Sequence, residues 1–477
     1  MDKARTLLND EDRTMAKSAT KDMTEGSPSR LMLGFFFPML LGMLFQQFYN
    51  MMDTIIVGKY LGVQALAAVG STGSINFMII GFCMGVCNGF AIPVAQKFGE
   101  KNFRLLKKFA ANGAWLSAVF ALVMTVTVCV FCRAILELMN TPEDIIDGAY
   151  RYIFVIFLGI PATYLYNMVS GIIRSLGDSR TPLVFLVISS LLNIGLDLFM
   201  ILVLHMGEEG AAWATVISQA VSGIGCLIYM MKRFEILRMT REEARPDKGI
   251  MITLCNVGVP MGLQYSITAI GSVILQTAVN GLGAMAVAAV TAGSKIGMFF
   301  CCPFDALGST MATYGGQNIG ARKLDRISAG LKAASIMGIG YSLAAFGVLL
   351  LFGKEIGLLF LDADETEILG QVHQFLVGNS MFYIPLAFVN IVRFLIQGMG
   401  YSKLAVLAGV CEMAARSFVG FCLVPVFGYA AVCFASPAAW IAADLFLVPS
   451  YKKIMKTLRS RTVSAIDGNG TVSYNET

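Results

Sequence analysis

Histidine is nearly missing from this chain, with two in 477 residues, and charged residues make up only 14% of it. The first scarcity leaves no histidine set for a zinc site or a catalytic triad. The second falls well below the roughly one quarter that a soluble domain carries. Nor is there a Walker motif to drive a pump with ATP. Residues 1–30 are polar and mixed in charge, without the apolar stretch of a cleavable signal peptide. They are expected to form a cytoplasmic tail. The 11 cysteines show no spacing for zinc or redox work; Cys129 and Cys132 make a CxxC, but inside an apolar run, where small hydrophobic filler is the simpler account. What the chain has in excess is apolar surface. Hydrophobic residues reach 56% and the mean hydropathy is +0.69, more than a soluble core of this length could hide. The natural solvent is a bilayer. The net charge of +5 does not suggest nucleic acid, because the information lies in where the charges fall.

Runs long enough to cross about 30 Å of hydrocarbon occur at 31–57, 65–92, 109–132, 149–171, 182–204, 210–231, 250–278, 285–311, 328–352, 370–394, 404–426 and 429–450. This predicts an all-α integral membrane protein with twelve transmembrane helices. Lysine and arginine then orient it. Of 36 basic residues, 30 fall in the N-terminal tail, in the loops at 97–108 and 232–248, at Arg174, Arg180, Arg322, Lys323, Arg326, Lys332, Arg393 and Lys403, and from Lys452 to Arg461. The opposite loops hold Lys59, Arg133, Arg151 and Lys354, and are otherwise acidic (Glu137, Glu143, Asp144; Glu208, Glu209; Asp362, Asp364, Glu365, Glu367). By the positive-inside rule both termini are expected in the cytoplasm.

The two halves repeat. LGVQALAAVGSTGSI (61–75) aligns with LGAMAVAAVTAGSKI (282–296), with seven identities in fifteen positions at an offset of 221. The same offset pairs Gln96 with Gln317 and Gly99 with Gly320; Pro38 pairs with Pro260 at 222, and Gly177 and Ser179 with Gly400 and Ser402 at 223. Six spans per half is an even number, so the repeat is parallel and its pseudo-two-fold axis runs along the membrane normal, as in several transporters. The expected division is a tail (1–30), an N-terminal six-helix bundle (31–231), a basic cytoplasmic linker (232–249), a C-terminal bundle (250–450) and a cytoplasmic tail (451–477).

Polar residues inside spans are costly and are functional candidates by default. Gln46, Asn50 and Asp53 follow i, i+4, i+7 spacing and share one face of the first span. Asn193 and Asp197 share a face of the fifth, and Thr215 lies in the sixth. Two carboxylates with amide and hydroxyl oxygens suit a proton or Na⁺, and two carboxylates close together in low dielectric cannot easily both be ionised. The plainer readings stay open: Asp53 capping the span near the surface, Asp197 joining helices. In the second half stand Lys295, Asp305, Glu412 and Arg416. Glu412 and Arg416 are i, i+4 and are expected to pair. Lys295 and Asp305, ten apart, need partners from elsewhere. The 28 methionines suit adaptable ligand surfaces, or plain filler.

QQFYNMMDTIIVGKYLGVQALAAVG (46–70), IIRSLGDSRTP (172–182), LLNIGLD (191–197) and QNIGARK (317–323) resemble the multidrug and toxic compound extrusion (MATE) transporters. The resemblance spans the chain after residue 30. It implies an exporter of organic cations and amphipathic drugs, exchanged for H⁺ or Na⁺, with no other cofactor. It also implies a cation site at Asp53, Asn193, Asp197 and Thr215, with Gln46 and Asn50 in the substrate pocket and Pro38 as the bending point of the first span. Spans 250–278 and 370–394 lack the acidic residues of NorM-like members. The chain is therefore more similar to the DinF-like branch, and a C-terminal cation site would need Asp305 or Glu412. A multi-pass monomer in a bacterial plasma membrane is expected, with lipid and a small cationic or amphipathic substrate as its partners and no nucleic acid. A flippase for lipid-linked saccharide or peptidoglycan precursors is the alternative, with Lys295 and Arg416 as the intramembrane basic residues. An embedded receptor or enzyme is the third, and nothing in the residues favours it.

Overall fold

In hydrocarbon a backbone must satisfy its own polar groups, which for a single chain means helices or a closed barrel. In the computed structural model the regular structure of the described residues, 20–139, 141–359 and 365–467, is all helical. Expectations placed on residues 1–19, on Asp362 and Asp364, and beyond residue 467 lie outside this description. Among the described residues nine helices are long and apolar enough to cross a membrane, and two bent pairs raise the number to eleven. The remaining expected span, 429–450, is the short helix Tyr429–Cys433 followed by Ala435–Asp467. The result is the twelve-helix, two-bundle architecture.

The irregularities recur in register with the repeat. Span 4 is Ile146–Leu158 and Ile160–Ser175, bent by 43°; span 10 is Thr366–Ser380 and Tyr383–Gly398, bent by 50°. Span 5 (Arg180–Leu198) continues into the π-helical turn Phe199–Val203, and span 11 (Ser402–Phe418) into Val419–Leu423. Each half therefore has a broken fourth helix and a widened turn in its fifth.

Span 1 (Pro28–Leu61) belongs to both halves. Met32, Phe35, Phe36 and Met39 are buried in the core of the C-terminal half, with Phe304, Met311 and Tyr314 of span 8 (Ala284–Gly320). Ile56 and Val57 are buried in the core of the N-terminal half. Pro38 sits inside the helix at the first of these regions.

The halves meet where small residues let backbones touch. A Cβ on Gly89 of span 2 (Gly73–Gly99) would collide with the backbone of Gly258 in span 7 (Lys248–Asn280). At the end of the molecule that carries the basic loops the contact is reciprocal: a Cβ on Gly99 would strike the Gln317 carbonyl oxygen, and one on Gly320 the Gln96 carbonyl oxygen. The two repeat-related glycines thus face each other's partner across the pseudo-axis. The segment preceding span 1 seals the same seam. Its Met23 N–H donates to Gln317 Oε1 (2.8 Å), and Gln317 Nε2 donates to the Ser175 carbonyl (2.8 Å). The Lys21 N–H donates to the Leu176 carbonyl (2.9 Å). Arg326 and Asn318 donate to the Met23 carbonyl (3.2 and 3.3 Å), and Lys323 to that of Thr24 (3.0 Å). Met23 is fully buried. One short strip of chain therefore ties both halves together at the basic end.

Neither carbonyl at the glycine contact can yield as a flexible side chain would. Gly320→Ala is expected to lower the thermal midpoint in detergent, with an overpacking cost of about 1–3 kcal/mol. A midpoint unchanged from the parent protein would contradict the close approach.

Candidate functional site

Between the halves lies a cavity of about 1770 Å³ lined from both sides. The helical spacing of Gln46, Asn50 and Asp53 has its consequence here: all three line the cavity, with Pro38 at its edge. Asn193 and Thr215 line it as well. Asp197 is fully buried behind them, and the Asp53 carboxyl lies beside both Asp197 and Thr215. Asn193 Nδ2 donates to Thr215 Oγ1 (3.2 Å), which fixes the amide and leaves its oxygen free. Asp53 Oδ1, Asn193 Oδ1 and both carboxylate oxygens of Asp197 are buried without a hydrogen-bond donor.

With the Thr215 hydroxyl as a donor beside Asp53, two carboxylates and an amide oxygen still form a cluster rich in unpaired acceptors. Buried, it demands a proton or a small cation. The donor set is all hard oxygen, which fits H⁺ or Na⁺ and not a transition metal. Among the described residues no three His, Cys, Asp or Glu side chains gather as a metal site. A Na⁺ here would rely on Asp53, Asp197, Asn193 and Thr215 together.

The C-terminal wall differs from its expected form. Arg393, counted from the sequence among the cytoplasmic charges at the very end of span 370–394, stands well inside Tyr383–Gly398, buried and ion-paired to Glu412 Oε1. Arg416 Nη2 takes the other oxygen of Glu412 at 3.6 Å. The expected Glu412–Arg416 pair is therefore one arm of a triad, in which a single carboxylate holds two guanidinium groups. Arg174, assigned to a loop, lines the cavity and donates to Asn88 Oδ1 (3.1 Å). Lys295 and Asp305 line the cavity and are exposed to it. Asp444 in the last span, passed over in the sequence, has a buried Oδ1 without a donor.

The repeat contained the signal for Arg393. At the offset of 223, Arg393 pairs with Ser170, deep inside span 4. The same offset sets Arg416 opposite Asn193 and Glu412 opposite Ser189. Where one half presents oxygen acceptors, the other presents a guanidinium.

A central cavity between two pseudo-symmetric six-helix halves, sealed at one end, defines a membrane transporter. The chain belongs to the MatE family, whose profile matches it twice, over residues 38–199 and 260–421. It is 30% identical to the probable multidrug resistance protein YoeA of Bacillus subtilis over 358 residues, covering 73% of this chain and 76% of that protein. The multidrug export protein MepA of Staphylococcus saprophyticus is 25% identical over 264 residues, 54% of this chain and 57% of MepA. Among solved structures, an outward-facing multidrug resistance MATE family transporter superposes with a TM-score of 0.87 at 22% identity, over 93% of this chain and 99% of that one.

The triad reverses the double-mutant expectation that a simple pair would set. With a pair, removing both partners is milder than removing one. Here Glu412→Ala leaves two buried cations unpaired, at a cost of about 3–5 kcal/mol. Adding Arg416→Ala is expected not to restore the stability, because Arg393 remains uncompensated. Thermal midpoints of Glu412→Ala, Arg416→Ala and the double variant test this; recovery in the double variant would reduce the triad to the pair.

Proposed function

We propose that this protein exports amphipathic organic cations in exchange for H⁺ or Na⁺ by alternating access. The observation that carries the reading is the cluster of unpaired acceptors formed by Asp53 and Asn193 at the cavity wall and Asp197 buried behind them. The multidrug resistance and export names of YoeA and MepA support it. In the cation-free state the carboxylates attract a positively charged substrate into the cavity. A proton or Na⁺ arriving from outside neutralises them, removes that attraction and lets the substrate leave. Asp53 rides on span 1, so the change reaches the helix that joins the two halves. Pro38 lacks the N–H that would tie it to Gly34, and span 1 bends there. Reopening toward the cytoplasm requires the glycine contact and the Lys21–Gly26 strip to part. In this reading the basic end is cytoplasmic, both termini lie inside, and the protein works as a monomer in the plasma membrane.

Asp197→Asn is expected to abolish gradient-driven export of a cationic dye from proteoliposomes while the protein still reaches the membrane. Asp53→Asn should do the same or move the pH optimum. Imposing Na⁺ and pH gradients separately identifies the coupling ion. Undiminished uphill export by the double variant would transfer the role to Asp305 or Glu412.

The orientation has its own test. A cysteine at Thr240→Cys should react with an impermeant maleimide only after the membrane is opened, and one at Glu143→Cys in intact cells. The opposite pattern would invert the protein and the direction of transport.

A further inference from the structure

The seam at the basic end is built twice and then made unequal. Gln96 Nε2 donates to the Gly398 carbonyl (3.0 Å), and Gln317 Nε2 to the Ser175 carbonyl (2.8 Å). Gln96 and Gln317 are repeat partners, and so are Ser175 and Gly398, so each half reaches into the other with the same amide. The strip before span 1 joins only one of these two contacts. Its Met23 N–H takes Gln317 Oε1 (2.8 Å), and a Cβ on Gly177 would strike the Lys21 carbonyl oxygen. On Gly400, the repeat partner of Gly177, a Cβ would meet the Gln96 side chain at 3.2 Å instead. The segment that precedes span 7 does not copy the strip. It is held on span 3 (Phe103–Val130), where the Asn112 side chain accepts from the Asp247 N–H (2.7 Å) and donates to the Arg245 carbonyl (3.4 Å).

The attachments of residues 21–26 to the two halves differ in kind. On the C-terminal half they are buried. The Met23 side chain sits in the core of that half, and the fully buried Gln317 and Asn318 bond its backbone. Lys323 donates to the Thr24 carbonyl (3.0 Å), and Arg326 to those of Met23 (3.2 Å) and Gly26 (2.9 Å). On the N-terminal half the same residues present one backbone bond, from the Lys21 N–H to the Leu176 carbonyl (2.9 Å), and two ion pairs. Lys101 makes both pairs, with Glu25 (3.4 Å) and Asp22 (3.7 Å), and its side chain is 53% exposed. Ion pairs this open to water contribute little and are screened by salt. The Lys21 ammonium also feels Arg180 at the start of span 5, a like charge that opposes the docking.

We infer that residues 21–26 form a tongue carried by the C-terminal half, which latches the basic end shut by docking on Leu176, Gly177 and Lys101 and leaves the N-terminal half first when that end opens. The inference rests on the alternating access proposed above only in taking this seam as a place that opens. Two amides in the strip report on opposite halves: Lys21 N–H on the N-terminal half, Met23 N–H on the C-terminal half. Their hydrogen–deuterium exchange is measured residue by residue on the purified full-length protein in zwitterionic nanodiscs, without substrate or gradient. After correction for intrinsic rates, Lys21 should exchange about tenfold faster than Met23, as a local opening precedes a larger one. Raising the salt from about 0.1 to 1 M, which shortens the Debye length from about 10 to 3 Å, should speed Lys21 and leave Met23 unchanged. Lys101 has a φ of 58°, so asparagine, which tolerates that backbone, is the replacement that removes its charge. Lys101→Asn should speed Lys21 exchange about threefold at low salt and abolish the salt effect, and Lys101→Arg should keep both as in the parent protein. Equal exchange of the two amides, faster exchange at Met23, or exchange at Lys21 indifferent to salt overturns the inference. The salt comparison needs no variant, and dye export from proteoliposomes judges the export reading separately.

Discussion

A charge inside hydrocarbon must be compensated, and this constraint organises the whole interior of the protein. The C-terminal half meets it in part with its own residues, through two guanidinium groups on the Glu412 carboxylate. The N-terminal half does not. Asp53 and Asp197 lie together with Asn193 and Thr215, and no arginine or lysine forms an ion pair with either carboxylate among the described residues. An ion-paired cluster carries counter-charge with it, whereas carboxylates without a paired cation would change state if a cation came and went. The duplication has thus produced one half in which buried charges are ion-paired and one in which the buried carboxylates are not, among the described residues.

Pseudo-symmetry explains why both kinds of cluster sit where they do. The bent fourth span and the widened turn of the fifth appear in each half, so the same backbone places side chains at the same depth twice. Asn193 and Arg416 occupy corresponding positions on these frames. One backbone can carry opposite polarity because a side-chain head group can change while the helix, its defects and its glycine contacts stay. The glycines at 99 and 320 cannot drift in the same way: each backbone touches the other half at its partner's position.

Much of this was legible in the residues. Span number follows from hydropathy, because a bilayer leaves few alternatives to an apolar helix. The repeat follows from aligned segments, and the shared face of Gln46, Asn50 and Asp53 from a 3.6-residue period that holds through an uninterrupted helix. Arg393 and Arg174 were not legible to the same logic. A hydropathy reading ends a span near its first strong charge, so Arg174 falls just outside 149–171 and Arg393 at the last turn of 370–394, where it is counted with the cytoplasmic charges. Yet Tyr383–Gly398 runs five residues past Arg393, whose buried partner Glu412 is 19 residues away in the next span. Compensation between helices is a three-dimensional fact that a one-dimensional window cannot register. The Lys21–Gly26 strip escaped for a related reason: it is polar, and its backbone bonds to both halves are invisible to composition.

Span 1 is where the electrostatic and mechanical arguments meet. Its first turns are packed into the C-terminal half and its last into the N-terminal half, so it cannot follow both when the halves move apart. It must bend or slide. Pro38 removes one backbone hydrogen bond at the edge of the C-terminal packing region, and there bending costs least. Asp53 lies on the same helix, four turns further on, beside Asp197. In the proposed exchange, a cation between Asp53 and Asp197 would hold the far part of span 1 to span 5, and its loss would leave two neighbouring carboxylates to repel one another. The near end of span 1 is packed in the other half, so on that proposal a change of charge at Asp53 would act on the one helix whose two ends are buried in different halves.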